Sequence, residues 1–176
     1  MTTRVLPKKV LEAEDEIRNE RIEIAKAFDA EGNLVFEKRG SQEDSLSFTS
    51  EQLVLLFGTI VTHNHPYPEG TEQSVSFSEE DVELAATLEL LELRAVTPTH
   101  TYSLRPADNG WDADYWERIL KPTFQAIQNT MRRQDLRNIR SGNLTVEQAN
   151  QDYWEKIWLR TTQALNLRYE SIAKNT

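Results

Sequence analysis

The 176-residue chain contains no cysteine. Disulfides, thiolate metal ligands and a cysteine nucleophile are therefore excluded, and any metal must be held by histidine, aspartate, glutamate or water. Histidine is scarce as well, with three in all. No apolar run approaches the roughly 20 residues that a membrane-spanning helix needs. The opening residues, MTTRVLPKKVLEAEDE, lack the apolar stretch of a signal peptide, so a cytoplasmic protein with no membrane partner is expected. Positive charge is in deficit: 20 Lys and Arg stand against 29 Asp and Glu, a net charge of −9. Such a surface repels phosphate backbones, and no nucleic-acid partner is expected. The local exception, MRRQDLRNIR from Met131 to Arg140, has the composition of a solvated helix face. Hydrophobic residues make up 38% of the chain, enough for a modest core, and the length suits one domain with or without an appendage.

What is present reads as alternating helices and strands. Leu6, Val10, Ala13 and Ile17 recur at helical spacing, which predicts a helix over Pro7 to Asn19. Arg21 to Gly40 reads as a hairpin turning at Asp29 to Asn33, with Gly32 free to take positive φ. On its first strand Ile22, Ile24, Lys26 and Phe28 share one face, and Glu23, Ala25 and Ala27 the other. Thr49 and Gln52 have capping-box spacing for a short helix that Gly58 stops. Thr59 to His63 is β-branched and apolar, a buried strand. Ser78 to Leu93 reads as one amphipathic helix, capped by Ser78, and Arg94 to Pro106 as two short strands around Pro98.

From about Asp108 the composition changes to two long helical segments separated by Ser141 to Asn143, with a related DYWE at Asp114 and at Asp152. Trp111, Tyr115, Trp116, Tyr153, Trp154 and Trp158 fall at spacings that suit a helical hairpin, either stitched to itself or docked on the preceding domain. Aromatic stripes of this kind are more often core than ligand site.

The chemistry concentrates in IVTHNHPYPEGTEQSVSFSEED, Ile60 to Asp81. His63 and His65 lie two apart at a strand end and face one side. Pro66 ends the strand. Asp81 lies in the first turn of the next helix, and strand ends meet helix starts at the same edge of an α/β sheet. Two nitrogens and one oxygen leave a fourth position for water, the pattern of a catalytic rather than a structural zinc. A chance His-x-His pair beside an ordinary Ser-x-x-Asp cap has the same appearance. His100 reads as a surface turn residue. The literal HNH string does not match the HNH nucleases, whose residues are spread along a hairpin.

THNHP followed by SFSEED resembles the signature of the JAB/MPN (JAMM) metalloenzyme family: His-x-His-Pro, a spacer, then Ser-x-x-Asp. The Asn between the histidines is most similar to the RadC-like and phage-associated branches. The resemblance covers about residues 10–106. It implies an α/β, JAMM/MPN-like (cytidine deaminase-like layered) domain over residues 1–107, with a mixed sheet and flanking helices, followed by a C-terminal helical hairpin over residues 108–176. It also implies Zn2+ held by His63, His65 and Asp81, with Ser78 stabilising an oxyanion. A glutamate acts on the water; Glu23 is the first choice, with Glu16 and Glu20 as alternatives. The implied activity is that of a zinc-dependent metallohydrolase, a peptidase or isopeptidase acting on a peptide or protein. The rival reading is a non-catalytic JAMM-like interaction module of phage or mobile-element origin, using the C-terminal helices for a homodimer or a partner protein. One departure keeps both open. Between His65 and Asp81 lie 15 residues, more than the family usually has. The excess, mostly Tyr67 to Val75, reads either as a loop over the site or as the mark of a relaxed, inactive one.

Overall fold

The computed structural model describes residues 5–41, 46–66 and 75–174. Helix α1 (Lys8–Ile17) buries Val10, Ala13, Glu14 and Ile17, spaced three to four apart. Strands β1 (Ile24–Phe28) and β2 (Leu34–Arg39) form the expected hairpin. Asp29 closes its turn by accepting from the Glu31 and Asn33 amides at 3.0 and 2.7 Å, with Gly32 at φ +85°. Helix α2 (Ser50–Leu56) carries the Thr49–Gln52 capping box, and β3 (Ile60–Asn64) follows, every residue buried.

Helix α3 (Glu79–Thr87) is shorter than its sequence suggests. LELLEL has strong helix formers, but Glu89 turns left-handed at φ 50° and β4 (Glu92–Val96) begins within the expected helix. Tertiary burial overrides propensity here: β4 lies at the middle of the sheet, parallel to β3 and fully buried, with Leu93 and Ala95 in the main core on one face and Glu92 paired with Arg94 on the other. Strand β5 (His100–Arg105) returns antiparallel to β4.

Helix α4 (Ala113–Tyr115) continues through a π turn at Trp116–Leu120 into α5 (Lys121–Arg140). The π turn directly precedes Pro122, whose ring and missing N–H do not fit a regular helix interior. The second expected long helix is instead three elements. Helix α6 (Val146–Asn150) stops before Asp152, which is left-handed at φ 53°. Helix α7 (Tyr153–Leu165) ends at Asn166, left-handed at φ 54°, and Arg168–Ala173 form strand β6. Strand β6 pairs antiparallel with β5, covering an edge that a helix would leave open.

The result is an α/β structure on one six-stranded mixed sheet, ordered β2-β1-β3-β4-β5-β6, with β3 and β4 as its parallel pair and α3 as their crossover. Alternation along the strands assigns the faces. Helix α1 covers Phe28 and Ile60 on one. On the other, Val61, Leu93, Ala95, Tyr102 and Leu104 join α3 and the C-terminal helices in the main core. Trp116, Phe124 and Trp158 are fully buried in that core, and each such side chain stabilises the fold by roughly 1.5–3 kcal/mol. The aromatic stripe beyond residue 108 therefore packs mainly inward, and the segment that begins there ends as a strand of the common sheet. No helix among the described residues is long and apolar enough to cross a membrane.

Candidate metal centre

His63 points to the core face from the last turn of strand pairing, opposite Ala25 of β1 and Ala95 of β4. His65 follows on the same side, its amide tied to the Val96 carbonyl at 3.0 Å. Asp81 arrives from α3. Its position is set by a reciprocal cap: the Ser78 amide donates to Asp81 Oδ2 at 2.8 Å, and the Asp81 amide donates to Ser78 Oγ at 3.1 Å. The Ser-x-x-Asp spacing thus serves the helix start and aims the carboxylate at once.

The three side chains converge. His63 Nε2 and His65 Nε2 are 2.9 Å apart, and Asp81 lies 3.7 Å from the first and 3.8 Å from the second. One ligand atom from each falls within 4.8 Å of the others, so the group can hold a metal ion. Ligands about 2.1 Å from a tetrahedral metal stand about 3.4 Å from one another. The histidine–aspartate separations, one to each Asp81 oxygen, are a few tenths of an ångström wider than that spacing, and the two histidine nitrogens are about half an ångström closer than it. Two imidazoles and a carboxylate, with no sulfur, suit zinc among other divalent metals. The outer nitrogens are engaged as metal-binding histidines require. His65 Nδ1–H donates to the Val75 carbonyl at 2.9 Å, and His63 shares a backbone hydrogen bond with Arg94.

The electrostatics fit a site waiting for positive charge. Burial opposes the His63 imidazolium, but the Asp81 carboxylate outweighs it, with Glu23 adding to the effect, and the ring's pKa is raised. Burial and the neighbouring His63 push His65 down to about 4. Burial would raise Asp81, yet the two histidines and the Ser78 amide hold it well below the usual carboxylate range. One proton is thus held among three groups.

Glu23 lines the same cavity as His63, Ser78 and Asp81. Burial raises its pKa, and its Oε2 accepts from the Leu46 amide at 3.0 Å. The cavity measures about 670 Å³ and continues from this polar end into an apolar wall that includes Phe48, Leu53, Val61 and Leu84. The other two glutamates lie elsewhere. Glu16 pairs with Lys26 Nζ at 2.7 Å, and Glu20 offers its backbone carbonyl to Asn64. His100 sits at the start of β5, stacked on Tyr102 and bonded to Thr99, apart from the histidine pair. Of the excess in the spacer, Tyr67 to Val75, only Val75 lies among the described residues.

Several residues at the site lie outside the expected set of ligands and catalytic groups. Asn64, between the histidines, is fully buried. Its Oδ1 accepts from the Ile24 amide at 2.7 Å, and its Nδ2 donates to the Ile22 and Glu20 carbonyls at 3.0 and 3.2 Å. It therefore staples the segment that carries Glu23 to the strand that carries the histidines. Asparagine at a buried strand end, where it has backbone to bind rather than solvent, is the one hint the sequence offers. The Val75 carbonyl, Trp158 and Tyr169 give no such hint, because only the fold brings them near. Compared with known proteins, the chain matches no family model, no curated protein and no solved structure.

Proposed function

We propose that this chain is a JAMM-type zinc hydrolase that cleaves a peptide or isopeptide bond. The observation that carries the reading is the convergence of His63, His65 and Asp81 at the polar end of a cavity that Glu23 and Ser78 also line. His-x-His-Pro on a strand end, Ser-x-x-Asp at a helix start and a glutamate directly before the neighbouring strand β1 form a combination expected of that family. The parallel β3–α3–β4 unit supports it, since it delivers both ligand groups to one edge.

His63, His65 and Asp81 would hold the metal. When bound, zinc acts as a Lewis acid and lowers the pKa of a water to about 7. Glu23, with its raised pKa, is suited to take a proton at its carboxylate and return it to the leaving amine. The Ser78 hydroxyl accepts from the Asp81 amide, which leaves its own proton to donate toward an oxyanion, a contact worth about 3 kcal/mol. The apolar wall beside Glu23 suits a hydrophobic side chain next to the scissile bond, and it excludes water from the reacting groups.

Elemental analysis of protein purified without added metal tests the reading. About one zinc per chain is expected, and none in His63→Ala, His65→Ala. Glu23→Gln should keep the zinc and lose roughly 10²- to 10⁴-fold in peptide hydrolysis. Absence of zinc uptake by the unaltered chain, or amide hydrolysis by His63→Ala with metal removed, sinks the proposal.

A further inference from the structure

Residues 75–77 form the short link into α3, and the C-terminal segment grips it twice. Trp158 of α7 donates its indole N–H to the Phe77 carbonyl at 2.7 Å, with both residues fully buried. Tyr169 of β6 and the buried Ser76 share a hydroxyl hydrogen bond of 2.8 Å. The Tyr169 ring also meets Phe77 edge-on at 6.4 Å between centroids, and Phe77 lies 6.5 Å from the His63 ring. Both ends of the gripped link serve the metal ligands. At one end the Val75 carbonyl accepts from His65 Nδ1–H. At the other, directly after Phe77, begins the Ser78–Asp81 cap that orients the third ligand.

We propose that Trp158 and Tyr169 are positioning residues of the metal centre, through which the α7–β6 segment completes a site whose ligands all lie before residue 82. The inference rests on the metal-binding reading above, although its first readout needs no metal. A neutral imidazole carries its proton on either nitrogen, and the hydrogen bond made by one nitrogen decides which. The Val75 carbonyl selects Nδ1–H and so turns the Nε2 lone pair of His65 toward His63 and Asp81. Val75 lies just outside the core, 37% exposed. The bonds to its neighbours Ser76 and Phe77 fix the chain on the side of Val75 that leads into α3. Without them the link can shift, the tautomer preference relaxes, and the helix start carrying Asp81 moves with it.

The test uses the full chain and four variants: Tyr169→Phe, Ser76→Ala, their double mutant, and Trp158→Phe. The phenylalanine variants keep an aromatic ring and remove its hydrogen-bonding group. In chelator-treated apoprotein at about pH 8, ring ¹⁵N shifts should assign the His65 proton to Nδ1 in the unaltered chain. The variants should shift toward mixed tautomers. Cobalt or zinc affinity should weaken about 10-fold, the low end for groups standing behind metal ligands. The double mutant should match either single one, because both remove the same bond. An unchanged tautomer and unchanged metal affinity in every folded variant, with only the melting temperature lowered, overturns the proposal. Should Trp158→Phe fail to fold, the Tyr169 and Ser76 variants decide alone. If the unaltered chain takes up neither metal, the hydrolase reading fails, and the tautomer comparison alone decides the positioning role.

Discussion

Adjacent residues of β3 bury polar groups on opposite faces of the sheet, and the two faces use them differently. Thr62 points toward α1, where it donates to Glu14 at 3.3 Å. Arg94 lies between Glu14 and Glu92 on the same face, and Ser103 donates to Glu92 at 2.7 Å. Acceptors there meet donors from the chain itself, and the network is closed. One residue further along, His63 meets His65 and Asp81, and their nitrogen and oxygen atoms converge at 2.9 to 3.8 Å. Such a set repels itself unless a proton or a cation stands in the middle. A buried network with its charges matched is architecture. A buried set of converging acceptors is a place for something positive.

The comparison breaks most sharply at Arg94, the cation that pairs with both Glu14 and Glu92 on the closed face. Arg94→Ala leaves the Glu14 and Glu92 carboxylates buried beside each other. Removing one partner of a buried ion pair costs about 3–5 kcal/mol, and a loss of that size in urea denaturation is expected. Zinc content of the folded fraction should stay as it was, since the ligands lie on the other face. Zinc loss in step with stability would mean that the two faces are one network. The ligand variants should do the reverse: His63→Ala, His65→Ala removes metal binding and changes apoprotein stability far less.

Asn64 bridges the two regimes, being placed between two ligands yet fully satisfied by backbone. Asn64→Ala leaves the Ile24 amide and two carbonyls without it, a loss of about 1–3 kcal/mol. Because two of those groups flank Glu23, the hydrolase reading predicts that peptide hydrolysis falls more than zinc affinity. Asn64→Asp should do no better, since its second oxygen faces the Glu20 and Ile22 carbonyls. Equal losses of affinity and rate in steady-state kinetics and metal competition would show that Asn64 supports the ligands alone.

Which parts of this the sequence could reveal follows from how far apart the interacting residues are. The candidate ligands lie within 19 residues, His63 to Asp81, and their spacing was visible because each residue type is chosen by local chemistry. The face of Glu23 followed from simple alternation along β1. The end of α3 did not: LELLEL favours a helix locally, yet the chain turns at Glu89 and its last two residues open β4, buried between β3 and β5. The fate of residues 146–173 was hidden for the same reason. Asp152 and Asn166 take left-handed conformations that each residue tolerates but neither announces, and RYESIA becomes a strand because β5 has an edge to cover. The grips of Trp158 and Tyr169 on the link before α3 span more than 80 residues of sequence and leave no local trace.

The smallest expected effect is also the one that tests the open site without any metal. His65 titrates at about 4 in the folded chain, below the ordinary histidine value, because it is buried beside the positive charge on His63. The unfolded chain therefore binds that proton more readily. By linkage the stability owed to a neutral His65 is fully present above about pH 6.5 and is lost as pH falls from there toward 4. His63, with its raised pKa, has the opposite sign: its contribution is complete below about pH 6.5 and is lost only as pH rises above it. Between pH 6.5 and 4 the His65 term therefore stands apart from that of His63. Urea midpoints of chelator-treated protein at pH 7 and pH 5.5 should show a loss of about 1 kcal/mol in the unaltered chain beyond that in His65→Asn. Equal losses in the two proteins would mean that the His65 ring is not held neutral against His63, and the converging lone pairs that distinguish this face from the closed one would lose their physical basis.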